Sequence, residues 1–136
     1  GETLEQLFSN AYIYVSPSMA EGLSISLLEA MSYGNASLVS DIVENLELVN
    51  GDSKLGSVGF TFKNKSITDL TDKLRILLND PKIVKQVGKK AREFVKVYYN
   101  WNDIVDRIDK VYMGSVVVKD KAKRQSFKQF AFKKAS

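Results

Sequence analysis

The chain has 136 residues, of which 44% are hydrophobic and 26% charged, ordinary proportions for one globular domain with one modest core. It holds no cysteine and no histidine, which excludes a disulfide framework, a thiol nucleophile, and the commonest general base and transition-metal ligand. The net charge of +4 is concentrated at one end: residues 114–136 carry seven Lys/Arg against one Asp, so the rest of the chain stands at −2.

In chain order, Leu4, Leu7 and Phe8 recur at helical spacing and predict a helix over 2–10 whose apolar face covers a neighbouring sheet. Ala11-Tyr12-Ile13-Tyr14-Val15 reads as a strand stopped by the turn signal Ser16-Pro17-Ser18. Glu21-Gly22 follows, then an apolar-rich helical segment that carries Glu29 and closes at Gly34. Ala36 to Ser40 is a second strand. Strand, loop, helix and strand make one βαβ unit, and in open parallel sheets ligands bind at the carboxyl ends of the strands. Both glutamates fall on that side of the unit.

Beyond Ser40, residues 41–49 read as a loop into a short helix ended by Asn50-Gly51, with Asp41 and Glu47 as its capping residues. Residues 52–56 form a turn, and Val58 to Phe62 alternates as a third strand. Ser66-Ile67-Thr68-Asp69 opens a helix like a capping box, with Ile67, Leu70, Leu74 and Leu77 on one face. Pro81 starts the next helix, whose apolar positions run from Ile83 to Tyr98. Asn100 caps a last helix containing Trp101, and Gly114 ends the regular pattern. Tyr98, Tyr99 and Trp101, at helical spacing, read as packing residues. Three strands, each followed by helical cover, predict a parallel sheet with right-handed crossovers.

Several of these residues form a known constellation. Pro17-Ser18-x-x-Glu21-Gly22, then Glu29-Ala30-Met31, Gly34 and Ser40-Asp41, resembles the glutamate-x7-glutamate signature of retaining GT-B glycosyltransferases, of the nucleotide-sugar-dependent group 1 or family 4 type. The resemblance extends over about residues 2–112. It implies an α/β fold: the second half of a Rossmann-like parallel sheet of about three strands, with helices on both faces and C-terminal helices, as a fragment of a GT-B fold. Residues 1–113 are then a partial nucleotide-sugar-binding domain and residues 114–136 a basic tail. The acceptor-binding domain, and the half of the donor domain whose basic residues hold the diphosphate, have no counterpart in this stretch. The strand from Tyr12 to Val15 is therefore expected to be an exposed apolar edge, prone to self-association.

The resemblance also implies roles. Glu21 takes the catalytic position facing the donor sugar, where a carboxylate accepts hydrogen bonds from hydroxyls and stabilises positive charge at the anomeric carbon. Glu29 takes the ribose hydroxyls of the nucleotide. Gly22, Leu23 and Ser24 offer backbone N–H groups at a helix start to the diphosphate; Ser24 serves there as a phosphate donor or as a plain N-cap. Many family members have glycine where Ser24 stands and proline where Ser26 stands. The paired glycines that approach the donor are here Val43 and Glu44, which puts that contact in question. The donor is expected to be a UDP- or GDP-sugar, with no metal and no other cofactor, and the acceptor a glycan or lipid-linked molecule bound through the missing domain.

The parent protein is thus expected to be a hexosyltransferase, with the isolated piece inactive. The contrasting reading is a non-catalytic half-domain that binds a partner through its open sheet edge. No apolar stretch approaches a membrane span and no signal-peptide pattern opens the chain, so a reducing, cytoplasmic setting is expected. The basic tail, with Phe127, Phe130 and Phe132 among its lysines, is either a solvated terminus or a peripheral contact with an anionic membrane; no nucleic-acid partner is expected.

Overall fold

The computed structural model describes residues 1–51 and 54–114. The basic tail, and with it the expected membrane contact, lies outside the described residues. The chain divides into two units, Gly1–Tyr98 and Tyr99–Ser136.

The first unit is an α/β layer structure. In order it contains α1 (Glu2–Asn10), β1 (Tyr14–Ser16), α2 (Ile25–Ser32), β2 (Ser37–Ser40), α3 (Val43–Val49), β3 (Phe60–Phe62), α4 (Ile67–Asn79) and α5 (Pro81–Tyr98). The three strands form one parallel sheet in the order β1-β2-β3, with Ser16 opposite Val39 and Ser40 opposite Phe62. The expected α/β fold and parallel sheet are therefore present, and β1 is an edge strand.

Because side chains alternate along a strand, β2 presents two faces. Leu38 packs with Ala36, Phe62 and, from α4 and α5, Leu77, Val84 and Val87. On the opposite face Ser37 lies beside Gly59 and Val49 of α3, so helices cover both sides. Leu27, Met31, Leu38 and Leu48 are fully buried, each contributing roughly 1.5–3 kcal/mol relative to exposure. The Arg75–Asp72 and Lys96–Glu93 ion pairs are solvent-exposed and add little.

Local signals end the helices where the sequence predicts. Gly34 sits at φ +85°, with its N–H on the carbonyl of Met31 and the N–H of Asn35 on the carbonyl of Ala30. This is a Schellman closure of α2. Ser66 accepts from the Asp69 N–H at 3.2 Å to cap α4, but the Asp69 carboxylate turns back to the N–H of Lys63 rather than to Ser66, so the box is offset. Asp80 caps α5 through the N–H of Ile83. In the second unit a helix covers residues 101–114, and Asn100 caps it through the N–H of Asn102 at 3.0 Å.

Some expectations need correction. In α1 only Phe8 is buried, against the rings of Tyr14 and Tyr33, while Leu4 and Leu7 are exposed. The helix lies by an edge strand, which offers partners to one side chain only. Ile67, in the first turn of α4, projects beyond the sheet and is exposed. Trp101, in the second unit, is 77% exposed. Tyr98 does pack, its ring 4.9 Å from that of Phe94.

Candidate functional site

Parallel strands in this register bring the ends of β1, β2 and β3 to one edge, followed by the loops 17–24, 41–42 and 63–66. These loops are hydrogen-bonded to one another. The Ser40 hydroxyl donates to the carbonyl of Ser18. The Asp41 N–H donates to the carbonyl of Phe62 at 2.9 Å, and the Asp41 carboxylate accepts from the N–H of Asn64 at 2.7 Å. Asp41 therefore closes the β3 loop and does not cap α3; Glu47 does not cap it either, since α3 starts after Ile42 with no side-chain cap. A shallow groove of about 170 Å³ opens along this edge, lined among others by Pro17, Met19, Phe62, Lys65 and Leu70.

Glu21 is half-buried in the first loop, and its Oε1 accepts from the Ser18 hydroxyl at 2.6 Å. That length belongs to a charge-assisted bond. The carboxylate is thus fastened to the end of β1, with its second oxygen left for another partner. It is not a freely solvated loop glutamate.

Gly22 and Leu23 are exposed. A Cβ at Gly22 would meet nothing within 4 Å, so space outside the backbone is open there. Ser24 is the N-cap residue of α2 by position, but its hydroxyl makes no capping hydrogen bond. The first N–H groups of α2 are consequently without a side-chain cap, and the helix dipole makes that end attractive to an anion.

Glu29 lies one turn into α2, half-buried, and no described residue hydrogen-bonds its carboxylate. The structure brings Glu21, Gly22, Leu23 and Ser24 into one loop, with Glu29 on the helix that leaves it. Val43 and Glu44, at the places of the paired glycines, form the first turn of α3. Among the described residues no group of three Asp or Glu could hold a metal ion, and no helix is long and apolar enough to cross a membrane.

Sequence reasoning missed the buried support of this edge. Asn45, fully buried on α3, donates from Nδ2 to both the carbonyl and the hydroxyl of Ser40 at 3.1 Å. A polar residue in a short amphipathic helix reads as surface, and nothing local to Asn45 signals otherwise.

Comparison with known proteins shows the family and the fold. The family model described as "Glycosyl transferases group 1" matches residues 1–94. Over 108 residues the chain is 32% identical to sulfoquinovosyl transferase SQD2 of Arabidopsis thaliana, covering 79% of this chain and 21% of that protein. Over 107 residues it is 34% identical to N,N'-diacetylbacillosaminyl-diphospho-undecaprenol alpha-1,3-N-acetylgalactosaminyltransferase of Campylobacter jejuni, covering 79% of this chain and 27% of that protein. Sucrose-phosphate synthase from Thermosynechococcus elongatus superposes with a TM-score of 0.77 at 24% identity, over 86% of this chain and 28% of that one, and so shares its fold. The chain spans between about a fifth and about a quarter of the curated relatives' length.

Proposed function

The chain belongs to the group 1 glycosyl transferases, with the fold of a GT-B fragment, and on that premise we propose that it supplies the donor-binding part of a retaining hexosyltransferase. The reaction moves a hexose from a nucleotide-diphosphate sugar, UDP- or GDP-linked, to a glycan or lipid-linked acceptor held by the rest of the protein. Glu21 faces the donor sugar, the Gly22–Ser24 backbone meets the diphosphate, and Glu29 holds the ribose hydroxyls. The observation that carries this reading is the fastening of Glu21 to the carboxyl end of β1 by Ser18. A carboxylate held still, with one oxygen free, is preorganised for the charge that develops at an anomeric carbon.

The uncapped start of α2 supports the diphosphate role, and the unengaged carboxylate of Glu29 supports the ribose role. The reading requires no metal. It places the protein in the cytoplasm, where nucleotide sugars are the substrates, and at the membrane surface if the acceptor is lipid-linked.

The test is made on the full-length protein. Glu29→Gln keeps size and removes charge, and is expected to weaken nucleotide binding by roughly tenfold or more, the worth of a hydrogen bond to a charged group. Isothermal titration with the nucleoside diphosphate alone measures it. Unchanged affinity removes Glu29 from the site.

A second reading draws on the edge strand. Among the described residues β1 pairs only with β2, and its Tyr12–Ser16 neighbourhood exposes Tyr12 and Val15. An unpaired, partly apolar edge is a template for another strand. The isolated 136-residue chain is expected to self-associate in dilute solution or to unfold at low denaturant. Light scattering and urea titration check this; a monodisperse monomer with a cooperative transition overturns it.

A further inference from the structure

We infer that Ser18 is a positioning residue for Glu21, held in register by a buried relay through Ser40 and Asn45. This rests on the reading of Glu21 as the residue that faces the donor sugar.

The relay has a direction. An ionised carboxylate only accepts, so the Ser18 hydroxyl directs its one proton to Glu21 Oε1. The Ser16 hydroxyl, 3.0 Å from that of Ser18, must then be the donor in their contact. Ser18 accepts from Ser16 and donates to Glu21, and its rotor has no freedom left. Its backbone is fixed independently, because its carbonyl accepts from the Ser40 hydroxyl. The Ser40 hydroxyl in turn accepts from Asn45 Nδ2, which also binds the Ser40 carbonyl. Each proton has one assigned acceptor, and the chain runs from the interior of α3, across the end of β2, to the loop after β1.

Asn45 carries a cost in this arrangement. It is fully buried, and its Oδ1 finds no hydrogen-bond partner among the described residues. An unpaired buried acceptor is unfavourable, and the two bonds from Nδ2 to Ser40 are what offset it. What Asn45 gains is the orientation of Ser40, and through it the height of Ser18 above the strand ends. A carboxylate that must lie within a fraction of an ångström of its target needs such a second support.

The experiment compares, on the full-length protein, affinities for the UDP- and GDP-sugars with those for UDP and GDP alone. The quantity read is the ratio of the two affinities for the accepted nucleotide. Ser18→Ala is expected to lower this ratio about tenfold while leaving nucleoside diphosphate affinity unchanged, and Ser18→Thr, which keeps the hydroxyl, to restore it. Ser40→Ala leaves the loop sequence intact and is expected to lower the ratio in the same direction. Glu21→Gln is the reference. If Glu21→Gln lowers the ratio and Ser18→Ala and Ser40→Ala do not, the relay is overturned and the role of Glu21 stands. Equal loss for sugar nucleotide and nucleoside diphosphate in Ser18→Ala also overturns it, since that marks a structural effect only. A ratio unmoved by Glu21→Gln shows that Glu21 does not touch the sugar in the ground state and overturns the relay; the donor-sugar reading itself falls only if kcat is unmoved as well.

Discussion

Gly88→Ala is expected to destabilise the first unit by about 3 kcal/mol, at the upper end of overpacking effects. The sign is the informative part. In an exposed helix interior, alanine is better than glycine by about 0.8–1 kcal/mol, and Gly88 stands in the middle of the 18-residue α5. On propensity alone the substitution is stabilising. The tertiary contact reverses it. A Cβ at Gly88 would lie 2.1 Å from the carbonyl oxygen of Gly34 and 3.0 Å from the backbone N of Ala36. Both are backbone atoms, and both belong to the turn that joins α2 to β2. Gly34 cannot give way, because at φ +85° it closes the Schellman motif at the end of α2.

Relief must come from lifting α5 away, which opens the layer where Val84, Val87 and Ala91 are buried. For a unit of about 100 residues each kcal/mol moves Tm by roughly 4–8 °C, so a fall of about 12–24 °C is expected in a thermal melt. A melting temperature equal to or above that of the parent would show that α5 does not pack on Gly34 as described.

Glu21→Gln, in the full-length protein, is expected to lower kcat by about 10²–10³-fold, the usual effect of removing one preorganised electrostatic group. Glutamine has nearly the same shape and still accepts from the Ser18 hydroxyl, so folding should be unaffected. On the role proposed for Glu21, what is lost is the negative charge facing the anomeric carbon. Since that carbon becomes positive only as the leaving group departs, the loss falls on the transition state and appears in kcat more than in KM. Steady-state kinetics with the accepted donor separate the two. A variant with unchanged kcat and raised KM would reassign Glu21 to ground-state binding of the sugar. A variant unchanged in both would remove it from the site.

The two substitutions probe different levels of the molecule, and so did the sequence. Residues acting through neighbours three or four positions away were legible. Gly34 at the end of α2, Ser66 before α4, Pro81 opening α5 and Asn100 before the last helix act through backbone groups within one turn, so residue type and spacing suffice. The order of strands and helices followed from the same periodicities, and with it the parallel sheet. The family resemblance stood out because the residues that carry it lie close together in the chain, from Pro17 to Asp41.

What only the tertiary structure decided depends on partners far apart in the chain. Leu4, Leu7 and Ile67 carry the right spacing for burial and are exposed, because periodicity names a face and not what opposes it. Asp41 looked like a cap for the helix that follows it and instead holds the N–H of Asn64, 23 residues on. Gly88 carries no local mark of its role, and its reason is a carbonyl 54 positions earlier. Asn45 and Ser40 carried no mark of the relay that reaches Ser18, since a hydrogen bond has a donor and an acceptor but no sequence distance. The sequence alone determined which residues form the elements and where the carboxylates stand among them. The bond that fastens Glu21 spans three residues, but the place of Ser18 above the strand end is set by Ser40, 22 residues on, which is a property of the folded chain.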